Sequence, residues 1–455
     1  MKLSRRNFLR GVLASSSLLL FNTSIYSETQ KKSSKKLKIG IIGAGVSGLV
    51  ASYKLNRAGM DSILFEAGAS YGGRLKSNLT LSDFPIELGA EFIHGNHSSH
   101  YEIVKKSNAS IFNSNQLDDF YFIGNDLKDE TQLDNDETFQ KVLSFLKRSI
   151  PKHTKDISVR DYLKSKKIQD EYHFLIEGLL SEQFGTDLSK ISVKYLSKPY
   201  QNYFKDQIHF LQKNRSLLSV IEEVYASKFQ KILFNFPVKK IDYSTDKVII
   251  SGDSDRSYEV DKVIVTVPIS VLQSESIKFD PGLPGEILSS IGSIGMDQGM
   301  KFTLKFNERF WEKTTGKIVS PGLVPIYYPS GHFRSTSNNI LMGSLSGKKY
   351  HDLIGSSSSP LPEILKDLDS IFGSNTASRK NTDGIFMDWG KEEYIRGVRS
   401  YPSQKENQSR ALLSKPIDDK VYFSGEAVDN NGYFGTISGA INSALSAVDY
   451  ILAKS

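Results

Sequence analysis

Short apolar runs and a helical spacing of apolar residues alternate where the globular part of the chain begins. The run Leu37–Ile42 is typical of a buried parallel strand, and the apolar residues of Leu49–Leu55 share one face of a helix that ends at Gly59. A second apolar run, Ser62–Phe65, ends at the acidic residue Glu66. This order predicts a strand, a helix and a second strand parallel to the first.

The apolar spacing after residue 100 predicts a helical region in the middle of the chain. Near the end of the chain it predicts a strand followed by a helix. Residues 101–204 have mostly helical spacing with polar faces, as in Phe139–Ile150 and Val159–Glu182. Residues 421–424 form a short apolar run, and Thr436–Ala453 has helical spacing with small residues that permit close approach to neighbouring elements. The segments predicted to be loops are Ser356–Pro360 and Ser374–Ser378.

Composition limits the classes of protein and of chemistry that are possible. A length of 455 residues suggests two or three domains, and 39% hydrophobic with 24% charged residues is typical of a globular protein. The chain has no cysteine, which excludes disulfides, thiolate metal sites, a cysteine nucleophile and a flavin bonded through a cysteine sulfur. The histidines show no spacing typical of a metal site, so no metal is expected.

The formal net charge of +7 comes from the first 38 residues, which carry +8. Residues 1–27 contain four basic residues and no acidic one, and residues 28–38 contain five lysines and one glutamate. Residues 39–455 therefore carry a formal net charge of −1. A nearly neutral globular part gives no electrostatic reason to expect a nucleic-acid partner.

The first residues resemble a bacterial twin-arginine export signal. Ser4–Arg10, SRRNFLR, contains a paired arginine, and the apolar run Gly11–Tyr26 that follows is interrupted by serines and short for a membrane-spanning helix. We expect cleavage near Ser27; the alternative is an uncleaved membrane anchor. The resemblance implies the twin-arginine translocase as a partner during export, a periplasmic or secreted protein, and no stable membrane insertion of the mature chain. Because this pathway carries folded proteins, it suits one that captures a cofactor before export.

The turn after the first strand carries the glycine pattern of a dinucleotide site. Gly43 allows the tight turn, Gly45 lets the backbone approach a pyrophosphate, and Gly48 lets the helix pack closely on the strand. The helix N-terminus then faces the phosphates with its positive end. Glu66 lies about twenty residues beyond the glycines, where a ribose-binding acid belongs. The pattern predicts dinucleotide binding but does not separate FAD from NAD.

Motifs further along the chain separate these two cofactors. Tyr71–Arg74, YGGR, is followed by Ile86–Gly95, IELGAEFIHG, and the chain ends with Val421–Ala440, VYFSGEAVDNNGYFGTISGA. These segments resemble, in turn, the VGGR, ELGAxWIHG and FAGEAT…GTVHGA segments of the flavin amine oxidase superfamily, which includes polyamine and monoamine oxidases. Three more segments stand in the family's order, namely Val263–Leu272, Phe279–Pro284 and Lys301–Trp311. The resemblance therefore implies FAD as the cofactor.

The resemblance also implies the fold class. It is α/β, with a FAD-binding Rossmann-like domain that carries the GxGxxG motif and an inserted α+β substrate-binding domain. Both domains would be discontinuous. The expected boundaries are 1–27 for the signal peptide, 28–36 for a basic linker, 37–100, 205–290 and 385–455 for the FAD-binding domain, and 101–204 and 291–384 for the substrate-binding domain.

The resemblance assigns roles to single residues. Lys301 fits the lysine that the family places beside flavin N(5), where it holds a water and assists reoxidation by oxygen. His94 lies where polyamine oxidases keep a histidine near the substrate amine, and it could take or share the amine proton; a structural histidine is the alternative. Gly68 replaces a family arginine, which weakens the hold on the adenosine end. The expected FAD contacts are Gly43, Gly45, Ser47, Gly48, Glu66, Arg74, Glu91, Phe92, Val238, Glu426, Thr436 and Ile437.

The resemblance is weakest on the substrate side. Many amine oxidases flank the substrate amine with two aromatic rings, and these positions are Arg399 and Thr436 here. A guanidinium that faces the flavin would repel a polyamine and clamp a carboxylate. If the loop is displaced by two residues, Tyr401 supplies a ring and Arg399 is a solvated surface charge. Both arrangements remain open, and Trp389, Arg399 and Tyr401 are the expected substrate residues.

The predicted activity is that of a FAD-dependent oxidase acting on a C–N bond of a polyamine or primary amine. Hydride transfer to the flavin would give an imine and then a carbonyl product, with oxygen as the electron acceptor and hydrogen peroxide as the second product. One alternative is an L-amino acid oxidase in which Arg399 clamps the carboxylate. Another is a flavoprotein of the same fold that passes electrons to an acceptor other than oxygen.

Overall fold

The computed structural model describes residues 36–147, 156–166, 172–195, 208–225, 231–253 and 256–455. The predicted signal peptide, residues 1–27, and the predicted linker up to residue 35 lie outside the described residues. So do the end of the predicted helix Phe139–Ile150 and an internal part of the predicted helix Val159–Glu182.

Strands and helices alternate along the described chain. The strands are β1 (Lys38–Ile42), β2 (Asp61–Phe65), β3 (Ser77–Asn78), β4 (Ile86–Glu87), β5 (Ile93–His94), β6 (Ile111–Asn113), β7 (Asp118–Ile123), β8 (Asp126–Asp129), β9 (His209–Gln212), β10 (Lys231–Leu233), β11 (Val238–Asp242), β12 (Val248–Gly252), β13 (Ser257–Val260), β14 (Lys262–Val265), β15 (Lys278–Asp280), β16 (Gly295–Met296), β17 (Gly299–Phe306), β18 (Thr315–Val319), β19 (Ile326–Ser330), β20 (Asn339–Ser346), β21 (Asn381–Asp388), β22 (Ser400–Tyr401) and β23 (Val421–Phe423). The helices are α1 (Val46–Arg57), α2 (Ser99–Lys106), α3 (Glu137–Lys147), α4 (Val159–Ser165), α5 (His173–Phe184), α6 (Leu217–Tyr225), α7 (Ile269–Gln273), α8 (Gly285–Ser293), α9 (Gly347–Ser356), α10 (Pro360–Phe372), α11 (Thr376–Lys380), α12 (Ser409–Leu413) and α13 (Ile437–Ala453).

A five-stranded parallel sheet carries the glycine motif. Its strand order is β10–β2–β1–β14–β23, and each neighbouring pair is parallel. The inner residues of β1 are apolar because other elements cover both faces of the sheet. Ile39 and Ile41 pack in one apolar cluster with residues of α1 and α13, whereas Ile42 packs in another with residues of β11 and β12. The predicted strand–helix–strand unit and the predicted final helix are confirmed.

A seven-stranded sheet forms the second large layer, in the order β21–β17–β20–β19–β18–β7–β8. Its interior strand β17 pairs antiparallel with both β20 and β21. Within the described parts of residues 101–204, helices predominate over strands, as expected. The region also contains β7 and β8, which were not predicted and which extend this sheet. These strands are short and partly exposed, so their apolar spacing is weak.

One predicted loop is corrected. Ser374–Ser378 overlaps α11, which begins at Thr376. Asp369 stabilises this start because its Oδ1 atom accepts hydrogen bonds from the backbone N–H groups of Ala377 and Ser378, at 2.6 and 3.1 Å. A contact from the preceding helix thus starts a helix that local composition disfavours.

The predicted domain boundaries stay a prediction. Two elements cross them: the sheet β5–β9–β6 joins strands on both sides of residue 100, and β21 continues across residue 384. Within the described ranges, no helix combines the length and the apolar character needed to cross a bilayer.

Candidate active site

A cavity of about 1610 Å³ extends from the glycine turn to the seven-stranded sheet. Pockets for single small ligands usually measure roughly 300–1,000 Å³, so this one has room for a dinucleotide and a substrate. It brings together residues from distant parts of the chain. The predicted site residues that line it are Gly43, Gly45, Ser47, Glu66, Arg74, Glu91, Phe92, His94, Val238, Lys301, Trp389, Arg399, Glu426, Thr436 and Ile437.

The glycine turn has the geometry of a phosphate cradle. Gly43 has φ +100°, and a Cβ atom on Gly48 would lie 2.0 Å from the Gly43 carbonyl oxygen, so Gly48 lies beneath the cavity rather than in its wall. A Cβ on Gly45 would meet no atom of the described chain within 4 Å, because it would point into the open cavity. No side chain of the described residues caps α1, and its first turn contains no acidic residue. A pyrophosphate fits this N-terminus.

Glu66 is fixed at the end of β2 beside this turn. Its Oε2 atom accepts a hydrogen bond from the Ala44 backbone N–H at 2.8 Å, and its Oε1 atom accepts one from the Gly68 N–H at 2.8 Å. A carboxylate oxygen can accept more than one hydrogen bond. Glu66 can therefore keep both of these hydrogen bonds and still accept hydrogen bonds from ribose hydroxyls.

Arg74 and Glu426 form an ion pair in the cavity wall. Arg74 Nη1 donates to Glu426 Oε1 at 2.9 Å. Ser400 Oγ and the Gly435 backbone N–H donate to the other carboxylate oxygen, at 2.5 and 2.8 Å. Burial alone would raise the pKa of Glu426, but the charge of Arg74 and the hydrogen bond from Ser400 outweigh burial, so the pKa is lowered. The carboxylate stays ionised and ties the first motif region to the last.

Lys301 lies on β17 with its ammonium group in the same cavity. Lys301 Nζ donates to Glu91 Oε2 at 2.7 Å and to the Gly89 carbonyl oxygen at 3.2 Å. The two side chains are only 15% and 14% exposed. Trp389 Nε1 donates to the Leu88 carbonyl oxygen at 2.9 Å and so fixes the segment that carries Glu91. The N–H group of the Trp389 side chain is thus used in a hydrogen bond to the protein backbone.

His94 contacts a second histidine, His209, which the sequence analysis missed. The two Nδ1 atoms are 3.1 Å apart. Burial, followed by the charges of neighbouring groups, lowers the pKa of His94 well below its ordinary value, and burial with Lys317 lowers that of His209 to about 4. Both rings are therefore neutral near pH 7. The strand pairing of β5 with β9 creates this contact, and no local motif around His209 predicts it.

The structure distinguishes the two arrangements considered for Arg399 and Tyr401. Arg399 lines the cavity and donates from Nη1 to the Gln183 carbonyl oxygen at 2.8 Å. Tyr401 is buried outside the cavity wall, its ring lies against Gly295, and its hydroxyl donates to Asp297 Oδ1 at 3.3 Å. Tyr401 is therefore removed from the predicted substrate contacts, because β22 pairs with β16 and turns its ring away from the site.

Thr436 does not take the place of an aromatic cage residue. Its hydroxyl caps α13, accepting from the Gly439 N–H at 3.1 Å and donating to the Tyr433 carbonyl oxygen at 2.5 Å. Aromatic rings come from elsewhere, since Phe92 and Tyr328 lie edge to face with centroids 5.4 Å apart. Both line the cavity. Tyr328 was also missed, because its only signal is an aromatic residue in an apolar strand.

Comparison with known proteins places the chain in a family. Residues 46–452 match the sequence model described as "Flavin containing amine oxidoreductase", and the chain belongs to this family. Among similar curated proteins, polyamine oxidase 5 of Oryza sativa subsp. japonica is 25% identical over 460 residues, covering 90% of this chain and 86% of the relative. Lysine-specific histone demethylase 2 of Homo sapiens is 24% identical over 449 residues, covering 91% and 53%.

Solved structures show the same fold. Cyclohexylamine oxidase from Brevibacterium oxydans IH-35A is similar with a TM-score of 0.77 and 21% identity, covering 92% of this chain and 99% of that one. Wild-type putrescine oxidase bound to putrescine has a TM-score of 0.79 and 17% identity, with coverage of 92% and 99%. The predicted mixed α/β fold, with a FAD-binding domain and a separate substrate-binding domain, is confirmed.

The chain is a flavin-containing amine oxidoreductase, and FAD is its cofactor, as predicted. The cavity fits this group: the open space at Gly45 and the N-terminus of α1 suit the pyrophosphate, Glu66 suits the ribose, and Lys301 lines the same cavity. When bound, FAD supplies the hydride acceptor.

Proposed function

We propose that this chain is an oxidase of polyamines or primary amines that reduces oxygen to hydrogen peroxide. The observation that carries the proposal is the partly buried Lys301–Glu91 ion pair in the wall of the cavity that begins at the dinucleotide turn. The reaction is balanced as amine, oxygen and water giving carbonyl compound, ammonia or a shorter amine, and hydrogen peroxide. Similarity to relatives named polyamine oxidase supports the amine substrate.

The protein's part in this reaction is mainly to orient a neutral amine. An amine nitrogen must have its lone pair available to stabilise the iminium that forms as hydride leaves, and enclosure in a cavity removes competing water. Phe92 and Tyr328 offer ring surfaces on which an amine can pack. His94 offers a neutral imidazole that can share the amine proton.

Charge along the cavity favours a cationic substrate. Lys317, which also lines the cavity, is ion-paired with Asp119 at 2.7 Å. Among the described residues that line this part of the cavity, five carboxylates outnumber the two cations, Lys317 and Arg399, and they attract an ammonium group toward the site. The carboxylates that line this part of the cavity are Asp118, Asp119, Asp129, Glu130 and Glu182.

Flavin reduction followed by peroxide detection tests the proposal. The FAD-loaded protein is mixed without oxygen with benzylamine, putrescine, spermidine and a series of L-amino acids, and flavin absorbance is followed. We expect bleaching by one of the amines, and peroxide release when oxygen is admitted. Bleaching by no amine would contradict an amine substrate. Bleaching by an amine, with electrons passing to an artificial dye but not to oxygen, would support the alternative of another electron acceptor.

A second candidate, an L-amino acid oxidase, is favoured by Arg399. Within the described ranges this guanidinium lines the cavity with no carboxylate in ion-pair contact. It could therefore bind a substrate carboxylate, and loss of such a charged hydrogen bond costs about 1.5–3 kcal/mol.

Arg399→Gln distinguishes the two candidates. For an L-amino acid oxidase, we expect kcat/KM to fall by about tenfold to hundredfold. For a polyamine, we expect kcat/KM to rise, because a repelling cation is lost. Arg379→Gln, an exposed change on α11, is the control. If neither class of substrate responds, Arg399 has no role in substrate binding.

We further infer export by the twin-arginine pathway to the periplasm or the exterior. The paired arginines Arg5 and Arg6 support this localisation. Replacement of both by lysine should leave the protein in the cytoplasm of a bacterial host, as measured by fractionation. Unchanged export would contradict this route.

A further inference from the structure

His94 and His209 face each other at the substrate side of the cavity. They are direct partners in the antiparallel register of β5 and β9. Their ring centroids are 5.1 Å apart, the ring planes stand at 89°, and the two Nδ1 atoms are separated by 3.1 Å. Both rings line the cavity. At this distance the two nitrogens form a hydrogen bond, so the rings act as one unit.

This contact restricts where the protons of the pair can lie. One Nδ1 must carry a hydrogen and the other a lone pair, because two N–H groups or two lone pairs at this distance repel each other. In a neutral pair, the ring that donates from Nδ1 has an unprotonated Nε2, and the ring that accepts has a protonated Nε2. The neutral pair therefore contains one Nε2 acceptor and one Nε2 donor, whichever way the central proton lies.

The groups around the pair favour this neutral state. Besides His209, Arg399 and His100 act electrostatically on His94, and Lys317 acts on His209. Lys317 is itself paired with Asp119. Burial is the largest influence on both rings and acts in the same direction as these charges, lowering both pKa values.

We propose that His209 is a positioning residue for His94: its hydrogen bond makes the two tautomers opposite and holds the His94 ring, so that the pair presents one acceptor nitrogen to the substrate amine. The inference rests on the proposed oxidation of amines. The accepting Nε2 accepts a hydrogen bond from an N–H group of the bound amine, which orients the nitrogen with its lone pair available for the iminium that forms. Because the surrounding groups favour the neutral pair, the Nδ1–H···Nδ1 bond is retained while the amine is bound.

Variants at residue 209 test this role. His209→Asn places an amide near the position of Nδ1 and can still hydrogen bond, whereas His209→Leu cannot. His351→Gln, at an exposed position on α9, is the matched control. We expect His209→Leu to lower kcat/KM for the amine that reduces the flavin by about tenfold to hundredfold, with partial recovery in His209→Asn and no change in the control.

Nitrogen-15 NMR of labelled histidines in the FAD-loaded, substrate-free protein gives a readout that does not depend on turnover. At pH 7 we expect two neutral imidazoles with opposite tautomers in the wild type. We expect the His94 signal to change in His209→Leu and to remain near its wild-type state in His209→Asn. Melting temperatures of the variants show whether the fold is retained.

The outcomes separate the inference from the proposed function. Equal kcat/KM in the wild type and His209→Leu, or a His94 tautomer that does not respond to the substitution, overturns the positioning role while leaving amine oxidation in place. Two opposite tautomers in a protein whose flavin no amine reduces would support the proton arrangement and contradict the proposed function.

Discussion

At the scale of single residues, the site is held together by charged groups that fix one another. Lys301 is held by Glu91, and Arg74 is held by Glu426. Each of these cations has a carboxylate partner, so its position is determined before any ligand binds. Arg399 differs, since its guanidinium donates to the Gln183 carbonyl oxygen and the described chain supplies no ion-pair partner.

Lys301→Met is expected to slow reoxidation of the reduced flavin by oxygen by about hundredfold, because a positive charge and a proton donor near the reacting oxygen are lost. Rapid mixing of the reduced protein with oxygenated buffer measures this rate. Lys305→Met is the control, since Lys305 lies on the same strand and donates to the Leu81 carbonyl oxygen at 2.9 Å. A reoxidation rate equal to that of the wild type would remove Lys301 from this role.

Glu87 makes stability depend on pH. Its oxygens accept from the Leu217 backbone N–H at 2.7 Å and from Ser77 Oγ at 2.8 Å, but burial raises its pKa from 4.5 to about 7. Between these two values the unfolded chain has lost the proton and the folded chain still holds it. Stability attributable to Glu87 therefore falls as pH rises from 4.5 to 7 and is constant above 7.

Glu87→Gln mimics the protonated acid and should be more stable than the wild type above pH 7, by about 3 kcal/mol, and similar to it near pH 4.5. Melting temperatures across this pH range measure the difference. Glu286→Gln, at an exposed glutamate on α8, is the control. A constant difference between wild type and Glu87→Gln at every pH would rule out titration of Glu87.

The sequence could indicate site residues that belong to contiguous motifs and could not indicate those that meet across strands. Arg74, Glu91 and Glu426 lie in recognisable segments, and the structure places all three in the cavity wall. His209 and Tyr328 reach the same wall through strand pairing alone. Tyr401 shows the converse, because counting along a loop cannot reveal which way the pairing of β22 turns a ring.

At the scale of elements, the β1–α1–β2 unit is predictable because its determinants are local. Apolar runs, glycine spacing and the acid at the end of β2 all lie within thirty residues or so. β7 and α11 are different, since β7 pairs with β18 from a distant part of the chain and α11 is stabilised by the Asp369 side chain. The local apolar pattern shows neither contact.

Gly45→Ala tests the glycine turn directly. The apoprotein has room for the added Cβ, because it would meet no described atom within 4 Å, but the methyl group would occupy the space of the pyrophosphate. We expect an unchanged melting temperature of the apoprotein and at least about tenfold weaker FAD binding by titration, corresponding to about 1.4 kcal/mol. Gly292→Ala, a helical glycine of α8 with similar free space, should change neither FAD affinity nor fold. Equal FAD affinity in Gly45→Ala would contradict the cradle.

At the scale of the whole molecule, the cofactor cavity joins segments that are far apart in the chain. It is lined by residues of the glycine turn, of β11 and β17, and of the segment that starts α13. A ligand that binds only the folded state stabilises it according to its concentration and affinity. FAD should therefore stabilise the entire fold.

Removal of FAD should lower the melting temperature. Adding FAD back at about a hundred times its Kd should raise the free energy of unfolding by about 2.7 kcal/mol. In hydrogen exchange, we expect faster exchange without FAD in residues 43–48, 71–74 and 435–440, which border the cavity. In α9 and α10, whose residues do not line it, amides that exchange through local opening should keep their rates, and only those that exchange through global unfolding should exchange faster. An equal increase for locally opening amides throughout the described chain would contradict local contact with FAD.

The position of β23 has a consequence for synthesis of the protein. This late strand completes the parallel sheet beside β14, and Ser424 Oγ just after it lies 2.7 Å from Ser47 Oγ in the glycine motif. A nascent chain still attached to the ribosome has the phosphate turn but lacks the opposite wall, so it cannot yet retain its prosthetic group. A premature stop codon before residue 421 would leave an unpaired sheet edge, which quality-control proteases and aggregation would remove from the cell.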